Sequence, residues 1–417
     1  MEKQIIAACE ITDHEVRLIL AEIFNTRLHI LKVERVACSG FNGQKIEDEK
    51  AVIHSIHRAV ENASKNLGAS IRQVLLLVPS VSMKHFVRRV QVEPESTDGV
   101  IGLKDVQRAF ASIMKLNLDP DLEIINAFIG KYIIDGISFR RFPVNEQVER
   151  CVIEADIYCI EKELAYQLAG CVEKAGVTIM DVILDSIGFA KEAALLERSM
   201  QQAVIGIILE RNHTHLSLYY QGKCKSSELL PIGMKTWIDE VSSKFKLPKD
   251  VSARLLTNNL VLSGSKSSDA PIYLWSYEGD SFTMSYNELI STVEPKIQEW
   301  RDQIVLAVDP IIQAKTSSVV ISGSGGSLLG LDEFIAQSLS CEVSSYVPQT
   351  LGVRDPALTS ITGAIYAYKD LEAWRKRAGS CVDVEEYNAM IYSRKKSESM
   401  DETISKKLKG IFEPKKA

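Results

Sequence analysis

Apolar positions along the chain repeat one plan in two places. Residues 4–36 hold three β-rich runs, IIAACEI, VRLILAEIF and RLHILKVERV, joined by polar turns at Thr12-Asp13-His14 and Asn25-Thr26. Much further on, AVIGIILE, THLSLYY and CKSSELLPI follow in the same order, with turns at Arg211-Asn212-His213 and Gln221-Gly222. Short apolar runs bounded by turn residues predict strands, so each set predicts a three-stranded meander. Helical periodicity follows each one. Val52, Ile56, Val60 and Ala63 form one stripe of a helix over Glu47–Leu67, which leads to the buried strand QVLLLVP. A second helix begins near Met234 and carries Trp237, Val241 and Phe245.

Residues 84–166 stand outside the repeat and predict a compact α+β insert: strand HFVRRVQV, a helix over Leu103–Met114, strands LEIINAFIGKYII and VERCVIEADIYCI, then a helix from Glu161. A duplicated meander followed by helices, in a chain of this length, resembles the two-lobed α/β architecture of actin, Hsp70 chaperones and sugar kinases. The expected division has a first-lobe core at 1–83, the insert at 84–166 and the first lobe continued at 167–199. The second-lobe core then covers 200–246, a second small subdomain 247–310, and the rest of the second lobe with its closing helix 311–376. A polar linker is expected at 377–400 and an amphipathic helix at 401–417.

Composition sharpens the picture in three ways. With 46% hydrophobic and 25% charged residues, the chain is ordinary globular protein, not a disordered or low-complexity one. Its longest apolar runs, such as Ala203–Leu209, fall far short of the ~18 residues that a spanning helix needs, and no signal peptide is visible. The net charge of −6 is unevenly spread: from Arg394 to the end, eight basic residues face four acidic ones, leaving a tail of +4 on a body of −10. An acidic body argues against general nucleic-acid binding, whereas a basic tail asks for an acidic surface. The eight cysteines form no CxxC, so buried free thiols are expected in place of disulfides or zinc.

Three stretches carry a more specific resemblance. FPVNEQVERCVIEADIYCI, with Pro143 and Val144 in place and Asn145 where Gly is usual, is similar to the PVG-loop-strand of the small subdomain in FtsA proteins. LISTVEPKIQEW resembles the helix of that family that carries E-P-R, here Glu294-Pro295-Lys296. A polar linker with a basic amphipathic end is the FtsA ending. FtsA is the bacterial actin-like family that attaches FtsZ filaments to the membrane at division. The resemblance implies a two-lobed actin/Hsp70-like ATPase fold with a small SHS2-like insert in the first lobe. It also implies self-association, divisome partners, the FtsZ C-terminal tail as ligand, and a place on the cytoplasmic face of the membrane at the division site. Lys296 stands at the family's Arg position associated with the FtsZ tail, with Arg254 and Arg301 as candidate helpers; an ordinary solvated lysine is the alternative.

The nucleotide motifs depart from the family. Actin-like folds hold ATP phosphates between two glycine turns whose backbone N–H groups contact the phosphates, while an Asp positions hydrated Mg²⁺. The first turn here keeps an acid as Glu10, replaces the Gly with Thr12, and adds Asp13 and Glu15. In the second, Leu209 stands for the Asp, Arg211, Asn212 and His213 stand for the glycines, and Thr214 alone remains. The E-x-x-K adenosine clamp falls on Ser252 and Leu255. Only the third turn survives, as Ser322-Gly323-Ser324-Gly325-Gly326-Ser327. Two readings follow: ATP with Mg²⁺ held loosely, Arg211 or His213 replacing lost contacts, or a vestigial site whose Gly323, Gly325 and Gly326 serve the fold. The second is favoured, because little remains to offset a triphosphate. No catalytic residue and no hydrolysis are expected.

Other motifs are weaker. SGSGGS lacks the third glycine of a dinucleotide fingerprint, having Leu328 there. His213 and His215 could form a metal half-site, but no companion at ligand spacing accompanies them, so exposed hairpin residues and no metal are expected; His54 and His57 read alike. The tail is stronger. Ile404, Leu408, Ile411 and Phe412 share one helical face, flanked by Lys406, Lys407 and Lys409, with Asp401 or Thr403 near the N-cap. That is the layout of an interfacial helix on anionic lipid, marginal alone and firm in many copies. The expected function is thus an FtsZ-to-membrane adaptor, with an active actin-like ATPase or a PilM-type pilus-assembly adaptor as alternatives.

Overall fold

A computed structural model describes residues 4–25, 27–115, 118–142, 148–263, 268–376 and 379–392. The first lobe is built on strands β1 (Gln4–Ile11), β2 (Glu15–Phe24), β3 (Arg27–Ala37) and β4 (Gln73–Val78), with helix α1 (Glu49–Leu67) between the last two. The insert follows as β5 (Lys84–Val92), α2 (Leu103–Ile113), β6 (Leu122–Ile134), β7 (Ile137–Phe139) and β8 (Cys151–Glu161). Helix α3 (Lys162–Lys174), β9 (Thr178–Leu184), α4 (Asp185–Glu192) and α5 (Leu195–Arg198) complete the lobe.

The second lobe opens with β10 (Ala203–Leu209), β11 (Thr214–Tyr220), β12 (Lys223–Leu230), α6 (Lys235–Phe245) and α7 (Lys249–Asn259). A hairpin of β13 (Pro271–Tyr277) and β14 (Asp280–Ser285) leads into the long α8 (Tyr286–Ala314). Then come β15 (Ser317–Ser322), α9 (Leu331–Ala336), β16 (Glu342–Ser345) and α10 (Thr359–Asp370).

The two five-stranded sheets have the same topology, β3-β2-β1-β4-β9 and β12-β11-β10-β15-β16, each an antiparallel meander extended by two parallel strands. The central strands β1, β4, β10 and β15 are buried almost throughout, which explains their continuous apolar sequence. Helix α1 starts at Asp48, whose carboxylate accepts from the Ala51 N–H, and ends at left-handed Gly68.

The lobes meet along α4 and α10. A Cβ on Gly363 would lie 1.8 Å from the Gly188 carbonyl oxygen, and one on Gly188 would lie 2.2 Å from that of Ser360. Only glycines permit this crossing.

The insert has its own core and the sheet order β5-β8-β6-β7. Its expected end at residue 166 falls inside α3, and that helix packs on α1 of the first lobe. The insert grips both lobes. Asn126 donates to the Val182 carbonyl and accepts from the Leu184 N–H, and Lys223 of β12 pairs with Asp156 at 2.8 Å.

The expected linker at 377–400 needs correction where it is described. Cys381 donates its N–H to the Ile5 carbonyl at 2.7 Å and accepts from the Arg72 N–H, and Val382 bridges Ile71. The helical residues 384–392 then lie over the end of α1, with Tyr387 buried. Cys381, Val382 and Tyr387 give this polar stretch enough apolar anchors to dock. Residues 393–417, including every tail position named above, lie outside the described residues.

Candidate functional site: the cleft between the lobes

The β1–β2 and β10–β11 turns face each other across the cleft, where the two expected phosphate turns would lie. The centre is Arg17 on β2, 1% exposed. Its Nε donates to Glu15 at 2.7 Å, and Nη1 and Nη2 donate to the two Glu210 oxygens at 3.1 and 2.9 Å. Nη1 also reaches Glu10 at 3.2 Å and the Ala357 carbonyl at 2.7 Å, while Nη2 reaches Ser324 Oγ at 2.8 Å. Ser324 Oγ donates in turn to Glu210 at 2.6 Å. A planar fork with five N–H groups suits this bidentate geometry, and it fastens the first lobe to the second. Arg35 extends the network from Glu15 to Asp355.

Each turn also carries histidines. His14 Nδ1 lies 2.7 Å from Asp13 Oδ1, and the Asn212 N–H donates to Asp13 Oδ2. His213 Nδ1 is 3.2 Å from Asp13 Oδ2, in ion-pair range. His215 Nδ1 pairs with Asp185 Oδ2 at 2.8 Å, and the other Asp185 oxygen accepts from the Ser80 hydroxyl and N–H. The imidazoles expected as exposed hairpin residues are therefore buried, 6% exposed for His213 and 2% for His215. The correction is tertiary: carboxylates from the other lobe receive them.

Burial acts strongly on this cluster. Desolvation pushes the Glu10 carboxyl up to about 7 despite Arg17. Glu15 is also desolvated, but the charge of Arg17 and the hydrogen bond from Arg35 overcome that and hold it down at about 2. Asp13 sits below the usual carboxylate range, its desolvation outweighed by the bonds from His14 and His213. Asp185 is lowered as well, burial opposing and His215 prevailing.

The expected nucleotide positions are placed as follows. Glu10 and Gly323 line the cleft cavity, and so does Thr12, whose hydroxyl is engaged in its own turn with the Glu15 carbonyl. Thr214 is turned to other work: its hydroxyl donates to the Ile232 carbonyl and accepts from Trp300 Nε1. Gly325 and Gly326 face protein, where added Cβ atoms would meet Leu209 at 2.3 Å and Pro356 at 3.0 Å. Ser252 and Leu255 are buried on α7.

Magnesium triphosphate does not fit these residues. The cavity measures about 30 Å³ and is lined by Glu10, Arg17, Asp185, Glu210, His213 and His215 among others. Small-molecule sites usually offer ~300–1,000 Å³, and 30 Å³ accommodates about one water. Carboxylates occupy the ground where backbone N–H groups would meet phosphate.

Sequence reasoning passed over Arg17, Glu210 and Asp185. One legible signal was an arginine inside an otherwise apolar strand, two residues from an acid.

The candidate cations on the second small subdomain do not gather. Lys296 pairs with Glu299, Arg301 with Asp302, and Arg254 with Asp250. Lys296 and Arg301 are five residues apart on α8, about 140° around the helix at 3.6 residues per turn. The groove beside them is lined by Pro295, Gln298, Glu299, Asp302, Gln303 and Leu306, and carries acidic charge.

No protein-family model matches the chain. It is 20% identical over 370 residues to the cell division protein FtsA of Staphylococcus epidermidis, covering 88% of this chain and 79% of that one. It is 21% identical over 367 residues to the FtsA of Bacillus subtilis, covering 87% and 83%. Among solved structures, the PilM-PilN type IV pilus biogenesis complex matches with TM-score 0.56 and 12% identity over 87% of this chain and 98% of that one. MreB5 of Spiroplasma citri bound to ADP matches with TM-score 0.51 and 9% identity, covering 88% and 96%. Twin sheets joined at a central cleft, with these neighbours, define an actin-like ATPase fold. Within that fold the chain is FtsA-like.

Proposed function

We propose that the protein is a cell-division adaptor. It tethers FtsZ filaments to the cytoplasmic face of the membrane at the division site, binding the FtsZ C-terminal tail with its body. The 401–417 segment holds anionic lipid, and the body self-associates and meets other divisome proteins. Its output is attachment and not hydrolysis.

The observation that carries this reading is the Arg17–Glu210 bridge across a cavity of about 30 Å³. A cleft filled by its own side chains supports a fixed scaffold over a nucleotide-cycled one. The likeness to FtsA over 84–88% of the chain supports the division role. Among the described residues no helix is long and apolar enough to cross a membrane, which is consistent with attachment through a peripheral segment.

A second reading, a pilus-assembly adaptor of the PilM type, is favoured by one observation. Lys296, Arg301 and Arg254 are each neutralised by a neighbouring carboxylate, which weakens the case for an acidic tail as ligand.

Co-sedimentation with anionic vesicles and the cognate FtsZ tests the proposal, using the full chain and a truncation ending at Ser399. FtsZ should pellet only with the full chain, equally with and without Mg-ATP. A full chain that stays in the supernatant would remove the membrane role. A full chain that pellets alone would remove FtsZ as partner.

A further inference from the structure

We propose that the insert works as an arm of the first lobe that clasps the second lobe from outside the cleft, through Lys223 against Asp156 and Glu154, and that this clasp opens reversibly. The inference concerns how the body moves and does not depend on the division partner.

The arm's attachment to the first lobe is built to stay closed. β8 ends at Glu161 and α3 begins at Lys162, so no loop separates them, and α3 packs on α1. Asn126 on β6 makes two hydrogen bonds to the backbone of β9, at 2.8 Å to the Val182 carbonyl and 3.0 Å from the Leu184 N–H. A third hold comes from the segment that follows α10. The Tyr132 hydroxyl donates to Glu372 at 2.6 Å, and Trp374 meets the Phe110 ring edge-on at 5.5 Å. The Arg375 guanidinium lies 4.6 Å from the Phe110 centroid and 5.8 Å from that of Phe128. Pulling this segment away exposes aromatic faces and leaves Tyr132 without its acceptor, so it resists separation.

The hold on the second lobe is of another kind. Lys223 on β12 is 2.8 Å from Asp156 and 3.8 Å from Glu154, both on β8. Each carboxylate also has bases from the insert itself: His85 at 2.7 Å from Asp156, and Arg89 at 2.7 Å and Lys131 at 3.3 Å from Glu154. Burial opposes their charge, but these bases and Lys223 outweigh it and keep both carboxyls below the usual range. Breaking a buried pair is costly when it leaves a charge alone. Here the insert keeps His85, Arg89 and Lys131 as partners after Lys223 leaves, and the Lys223 ammonium, on a side chain already 22% exposed, turns to water. The contact therefore opens at little cost.

Its position gives it leverage. Lys223 pairs with Tyr220 at one end of the β11–β12 ladder, and the turn that carries His213 lies at the other end, beside Thr214 and Leu230. Seven residues of strand place the clasp about 20 Å from the cleft fastening of Arg17 and Glu210. Two fastenings so far apart resist a rotation of the lobes that either alone allows. The insert has its own core, so it moves as one body.

The test measures distances between spin labels in the full chain, with Cys341→Ser removing the native thiol that is only half-buried. Labels go on the exposed positions Arg58→Cys of α1, Lys104→Cys of α2 and Glu240→Cys of α6, two at a time. Lys223→Glu sets a third carboxylate against Asp156 and Glu154. It should broaden the α2–α6 and α1–α6 distributions and shift them to longer distance, leaving α1–α2 unchanged, and Lys223→Arg should keep all three as in the parent chain. If Lys223→Glu folds poorly, Lys223→Gln decides. Unchanged α2–α6 and α1–α6 distributions in the folded variant overturn the clasp. A broadened α1–α2 distribution overturns the arm, because the insert then swings free of the first lobe.

Discussion

Arg17 concentrates most of what is particular to this protein. A buried guanidinium shared by Glu10, Glu15 and Glu210 is costly to break from one side, because Glu10 and Glu210 then lose their guanidinium partner and Glu15 keeps only Arg35. Arg17→Met should cost about 3–5 kcal/mol in urea unfolding, and Glu210→Gln less, since its amide oxygen still accepts. Glu10 gives a pH signature. Its carboxyl ordinarily titrates near 4.5 and is raised to about 7 in the fold. A raised folded value means the protonated form adds stability, fully below about 4.5, and that contribution disappears as pH rises through about 7. Stability between pH 5 and 8 should therefore fall less in Glu10→Gln than in the wild type, a difference on the order of 2–3 kcal/mol at most. Glu15 runs the other way: its contribution is present above about 4.5 and is lost as pH falls towards about 2. Equal slopes for wild type and Glu10→Gln from pH 5 to 8 would remove Glu10 from the account.

At the scale of elements, the α4–α10 crossing and the C-terminal strap make separate predictions. Gly363→Ala puts a methyl within 1.8 Å of a backbone oxygen, and backbone on both helices must move apart. A loss of at least ~1–3 kcal/mol is expected, visible as a lower urea midpoint with the same fold by circular dichroism. The strap is tested by two truncations. Ending the chain after Tyr392 keeps Cys381, Val382 and Tyr387 buried and should leave the midpoint unchanged. Ending it after residue 378 exposes the surface they cover, and each lost side chain is worth ~1.5–3 kcal/mol. If both truncations melt like the full chain, the strap adds nothing.

For the whole molecule, attachment to lipid should be electrostatic in large part. The +4 tail sits on a −10 body, so neutral vesicles should bind far less than anionic ones. Screening shortens the reach of charge from ~10 Å at 0.1 M salt to ~3 Å at 1 M. Binding to anionic vesicles should accordingly fall steeply across that range. Salt-independent pelleting would mean that apolar insertion alone holds the protein.

The sequence by itself determined the fold's plan. Strand period, turn residues and apolar stripes are local, so the paired meanders and the α1 stripe through Val52, Ile56 and Ala63 could be read directly. The β6 strand matched its apolar run from Leu122 to Ile134. That the β1–β2 and β10–β11 turns carry no glycine was legible for the same reason. What only the tertiary structure decided are contacts between residues far apart in the chain. Arg17 meets Glu210 across 193 positions and His215 meets Asp185 across 30, and Ser380 and Cys381 join β1 from the far end of the chain. A histidine or a glutamate looks the same in sequence whether water or an opposing charge receives it. Burial and pairing are properties of the closed cleft, so the histidines expected at the surface became part of its interior.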